Sequence, residues 1–163
     1  MKYVKSLALL SAFALPLAAQ AQVSPFVGAQ IEAATKSCTQ KTALLSGQNA
    51  ATAKSLAVAA LPDCYNALRS LDQFEKSNGQ GLTADERNYF YYMGGNIVWL
   101  TAGAEVMKNN GNLTPQICQQ VIAAEGAWGN VRVAAGSDVD RSMRTHDLRR
   151  MLVPACQAAL GQR

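Results

Sequence analysis

The sequence predicts an all-α protein: a small helical bundle of about five helices, with two disulfide-stapled helical hairpins around a central apolar helix. Three observations lead there. Apolar residues recur three and four positions apart along most of the chain beyond residue 22. Cap-then-proline pairs and a capping box open these segments, and glycine-rich clusters close them. Four cysteines fall on four different helical segments, as hairpin staples require.

Length and composition agree with that class. A chain of 163 residues, 49% hydrophobic and 16% charged, has one domain's length and too much apolar content for wholesale disorder. Residues 1–21 read as a secretory signal peptide: the basic start Met1-Lys2-Tyr3-Val4-Lys5, an apolar stretch from Leu7 to Ala18, and the small-residue site Ala19-Gln20-Ala21. Cleavage after Ala21 leaves residues 22–163 as a single helical domain. No cysteine follows that site, so a lipid anchor is not expected, and the expected address is the periplasm or the medium. No apolar run in the mature region reaches membrane-spanning length.

The first helix runs from Ser24-Pro25, a cap with proline at the first helical position, through Val27, Ile31, Ala34, Cys38 and Leu45 to a stop at Gly47. The second extends from Thr52 to Phe74; Pro62 is expected to interrupt it and Asp63 to cap the restarted part. Asn78-Gly79-Gln80-Gly81 is a linker. Thr83-Ala84-Asp85-Glu86 forms a capping box and opens the central helix, Ala84 to about Asn109. That helix is apolar on nearly every side, as a central bundle member is, and Gly95 and Gly103 should let a neighbouring backbone approach. The rival for Tyr89–Leu100 is a β-hairpin turning at Gly94-Gly95, which the capping box and the missing alternation disfavour. Thr114-Pro115 opens a fourth helix through Ile117, Val121, Ala124, Trp128 and Val131, stopped by Gly136. Ser137-Asp138 caps a last helix, Val139 to about Leu160, bent or restarted at Pro154.

Hairpin geometry selects the disulfide pairing. Cys118 and Cys156 lie equally far either side of Ser137, and Cys38 and Cys64 flank the Gly47–Thr52 turn, so Cys38–Cys64 with Cys118–Cys156 is expected. None of the four is spaced C-x-x-C, which removes the thioredoxin, zinc-ribbon and c-type haem signatures.

Catalytic patterns are thin. His146, the only histidine, sits among arginines that discourage its protonation, and no G-x-S-x-G elbow accompanies it. No cofactor and no metal site is expected. A b-type haem held by His146 with Met93 or Met107 is the nearest alternative, though methionines at helical spacing are ordinary core filler. Glu105 and Glu125 are the one acid pair on different helices that a hydrolase would use, whereas Asp85 and Glu86 serve the helix dipole.

Net charge is +4, falling to +2 once Lys2 and Lys5 leave with the signal. Six arginines against three aspartates in residues 132–163 are too slight an excess for a nucleic-acid surface. The expected role is therefore binding to a protein partner, as an inhibitor, immunity or chaperone-like protein, through Tyr91, Tyr92, Arg144 and Arg149. The alternative is a small-molecule carrier holding its ligand near Trp99 and His146.

Overall fold

The computed structural model describes residues 23–133 and 135–161, so the expected signal peptide lies outside the described residues. Among the described residues all long elements are helical: α1 (Pro25–Ala43), α2 (Ala50–Asn78), α3 (Ala84–Lys108), α4 (Pro115–Gly129), α5 (Asp138–Thr145) and α6 (Asp147–Ala159). Four starts have the cap the sequence announces, α2 is capped by Asn49 ahead of its expected start at Thr52, and α6 has no side-chain cap. Ser24, Asn49, Thr83, Thr114 and Ser137 accept a backbone N–H three residues on, satisfying one of the unpaired donors at a helix start.

Helix α3 is the axis of the bundle. One face packs on α1 and α2 through Ile31, Cys38, Cys64, Leu71, Phe90 and Ile97. The opposite face packs on α4 and α6 through Trp99, Cys118, Val121, Trp128, Leu152 and Cys156. A helix that feeds two cores has no wet side over most of its length, which is why its sequence lacks a polar stripe. Segment Tyr89–Leu100 is helical throughout, and the hairpin is not formed. Disulfides Cys38–Cys64 and Cys118–Cys156 staple the flanking hairpins, α1 to α2 and α4 to α6, with all four cysteines fully buried.

Helix α1 ends at Ala43, short of the expected stop at Gly47, and the structure departs from the sequence expectation at four further places. Six α-helices replace about five among the described residues, because the expected last helix is divided at His146, whose backbone is extended (ψ 114°). Pro62 and Pro154 end nothing. Each sits on the exposed side of a continuous helix, two residues before a disulfide cysteine, so tertiary anchoring overrides the lost backbone hydrogen bond. Asp63 consequently caps no helix; its carboxylate accepts from Ser37 (2.7 Å) and from Lys41 on α1, clamping the first hairpin. Helix α4 stops at Gly129, short of Gly136, because the Asn88 side chain takes over the Arg132 backbone. Its Oδ1 accepts from Arg132 N (3.2 Å) and its Nδ2 donates to Arg132 O (2.9 Å).

The capping box of α3 also holds the start of α1. Glu86, buried, accepts from Thr83 N (2.9 Å) and Thr83 Oγ1 (3.0 Å), and from Ser24 N (3.3 Å) at the cap of α1. Hydrogen bonds from Ser24 first and Thr83 second hold its pKa down at about 2. A carboxylate depressed in the folded state contributes stability above its ordinary value of 4.5, and loses it as pH falls toward about 2. Urea midpoints measured between pH 6 and pH 2 should therefore fall, and Glu86→Gln should flatten that fall. It should not abolish it, because Asp63 and Asp140 are also held low.

Candidate functional site

Two surfaces flank α3, and the residues expected to bind are divided between them. On the α4–α6 side the core rises to an aromatic group. Trp128 donates from Nε1 to the Tyr92 carbonyl (3.2 Å) and stacks on the Tyr92 ring at 5.5 Å. Trp99 meets Trp128 edge to face, and the His146 ring lies 5.2 Å from Trp99 and 6.1 Å from Trp128. Gly95 makes this possible: a Cβ there would overlap the Trp128 indole. At Gly103 the fit is looser: a Cβ there would come tight against a Leu148 methyl at 3.0 Å. The approach these glycines were expected to give a neighbouring backbone is given instead to side chains.

His146 divides α5 from α6 because its ring is drawn onto the tryptophans. Burial in that setting is the main reason its pKa is lowered, with Arg149 adding to the shift and Asp147 opposing it. The sequence expectation credited neighbouring cations, but the one that acts, Arg149, is outweighed by Asp147, so burial alone sets the direction. Trp99 Nε1 and His146 Nδ1 are both buried without a hydrogen-bond partner among the described residues. Unfolded, the imidazole binds its proton near the ordinary 6.5; folded, it does so only at lower pH. Stability is thus full above 6.5 and declines as pH falls below it. As the only histidine, His146 accounts for any such slope between pH 7 and pH 5.5, and His146→Phe should remove it in thermal melts at stepped pH.

Beside Trp128 lies a cavity of about 210 Å³ between α4 and α5, with Met143, Arg144, Arg149, Asp140 and Glu125 around it. Its charges are mutually engaged. Arg149 holds Glu125 through two hydrogen bonds, one of 2.8 Å, and Arg144 Nε donates to Asp140 Oδ1 at 2.8 Å. Tyr92 reaches Ser142 Oγ at 3.2 Å. Tyr92, Arg144 and Arg149 therefore belong to one neighbourhood, and Tyr91 does not.

Tyr91 lies on a groove of about 370 Å³ that runs over α3 between α2 and α4. The α2 wall presents Leu68, Leu71, Asp72 and Glu75; the α4 wall presents Gln120, Ala123, Ala124 and Ala127. Both sets follow the i, i+3, i+4, i+7 spacing of a single helix face. The floor is Phe90, Tyr91, Gly94, Gly95 and Val98, and the Tyr91 hydroxyl donates to Glu75 Oε1 (3.3 Å). Sequence reasoning missed this groove. Its one sequence signal is Gly94, an interior helical glycine beside another.

The remaining candidates are apart. Glu105 is buried and accepts from Tyr65 (2.6 Å) on α2, lifting the phenol to about 12 through its own burial first and the carboxylate second. Glu125 pairs with Arg149 on α6, so the two acids serve different neighbours and do not share a cleft. Met93 packs on the α1–α2 core and Met107 is exposed, whereas His146 lies on the α4–α6 side; it is Met143 that packs against that core. Among the described residues no three His, Cys, Asp or Glu side chains converge as metal ligands do, and no helix is long and apolar enough to cross a membrane. Comparison with protein-family models, curated proteins and solved structures finds no match for this chain.

Proposed function

We propose that this is an exported helical protein that acts by binding a protein partner, in an inhibitor, immunity or chaperone-like role, rather than by catalysis. The observation that carries the reading is the groove over α3, apolar on its floor and helical in its spacing, which the fold leaves unfilled. Export is supported by residues 1–21 and by two buried disulfides, which suit an oxidising compartment such as the periplasm or the medium. Native mass spectrometry of the protein taken untreated from its own host tests both parts. The expected species begins at Gln22, lacks four hydrogens relative to the reduced chain, and carries a second protein in fixed ratio. A bare monomer under those conditions and after cross-linking in the intact host would overturn the reading.

A second reading rests on Trp99 and His146. A buried donor and a buried ring nitrogen, both without a partner among the described residues, are what a small polar ligand between helices would satisfy. A bound small molecule in the same spectrum, lost in His146→Ala, would support a carrier; for a haem, the visible absorption band would be lost with it.

A further inference from the structure

We infer that the occupant of the α3 groove is a cationic amphipathic helix of the partner protein, crossing α3 at Gly94; this rests on the binding reading above. Gly94 is the first ground. It lies near the middle of a 25-residue helix, where glycine is costly relative to alanine. Gly95 and Gly103 repay that cost by admitting Trp128 and Leu148, but a Cβ at Gly94 would meet nothing within 4 Å. The isolated chain makes no use of the missing side chain. A helix laid along the groove would, because small residues let two helix axes come close, and Ala123, Ala124 and Ala127 line the wall opposite.

Shape and charge identify the occupant. Two helical walls over a helical floor match a fourth rod and are too narrow for a sheet. Asp72 and Glu75, both on the α2 wall, are the only charged residues lining the groove among the described residues. Asp72 pairs with Lys76 four residues on, but both side chains are mostly exposed and such a pair exchanges readily for another cation. Glu75 is engaged only by the Tyr91 hydroxyl among the described residues. The α4 wall offers no charge. The matching helix therefore has a small apolar face flanked on one side by Lys or Arg. An anionic lipid surface would be repelled by the same acids.

The test uses a fluorescein-labelled 18-residue helix with alanine and leucine on one face and lysine on the other, and a counterpart with glutamate for lysine. In anisotropy titrations of the oxidised protein, the lysine helix should bind at least tenfold tighter. Gly94→Leu should weaken it at least tenfold with an unchanged far-ultraviolet spectrum. Gly94→Ala, the milder variant, should raise Tm and weaken binding less. Asp72→Lys combined with Glu75→Lys should reverse the preference toward the glutamate helix. Equal binding of the two helices, or unaltered binding by Gly94→Leu, would overturn the inference. A concentration-dependent dimer abolished by Gly94→Leu would overturn it too, by assigning the groove to a second copy. In the native complex, a partner retained by Gly94→Leu keeps the binding reading and removes the groove from it, whereas no partner in any form removes the reading itself.

Discussion

Gly95→Ala is expected to destabilise the protein by about 3 kcal/mol, the upper end of what one added methyl costs in a packed core. The added Cβ would occupy the space of the Trp128 indole, and neither side can yield. Trp128 is held by its bond to the Tyr92 carbonyl, by Tyr92 stacked on one face, and by Trp99 against its edge. Moving it disturbs the core shared by α3, α4 and α6 and removes a neighbour from His146. Urea denaturation followed by tryptophan emission measures the effect directly. Gly94→Ala is the internal control, since it adds the same methyl one residue earlier into open space. If the two variants melt within 1 kcal/mol of each other, Trp128 does not pack on α3 as described.

Loss of the Cys118–Cys156 bond should have the other large effect. Its cysteines are 38 residues apart, against 26 for Cys38–Cys64. Loop closure then assigns them about 4 and about 3.5 kcal/mol respectively. The difference should widen in practice, because the two hairpins have different tethers. Helices α1 and α2 are also joined by the Asp63 clamp with Ser37 and Lys41, and the start of α1 is tied to Glu86. Helix α6 is short and follows the exposed α5; beyond its packing on α4 and α3 it has the Arg149–Glu125 pair. Cys118→Ala with Cys156→Ala should therefore lower the urea midpoint more than Cys38→Ala with Cys64→Ala, and should dim the near-ultraviolet tryptophan signal first. The reverse order would mean that the second hairpin is held mainly by its apolar contacts.

The helices were legible because their signals are local. Ser24-Pro25, Thr83 to Glu86, Thr114-Pro115 and Ser137 each act within four residues of themselves, and each is found capping as its spacing implies. The disulfide pairing was legible for a related reason: an antiparallel hairpin sets the register of its two arms, and cysteines level in register are the ones that meet. Where reading failed, a distant group had intervened. Pro62 and Pro154 have breaker chemistry, yet packing around the adjacent cystines keeps their helices continuous. Asn88, 44 residues away, ends α4 by claiming the Arg132 backbone. His146 divides the last helix because its ring finds two tryptophans from other helices.

The candidate sites show the same division. That α3 would be central followed from its apolar residues on all sides. Which of its residues would share a surface did not, because Tyr91 and Tyr92 are adjacent in sequence but project about 100° apart around the helix, one to the groove and one to Trp128. Gly94 and Gly95 are likewise indistinguishable as a pair of letters. By itself the sequence determined the class, four of the caps and the staples of this protein, since all three depend on neighbours along the chain or on hairpin register. Only the tertiary structure decided that Gly95 is filled and Gly94 is open, because that depends on where α4 places Trp128, and no spacing within α3 encodes it.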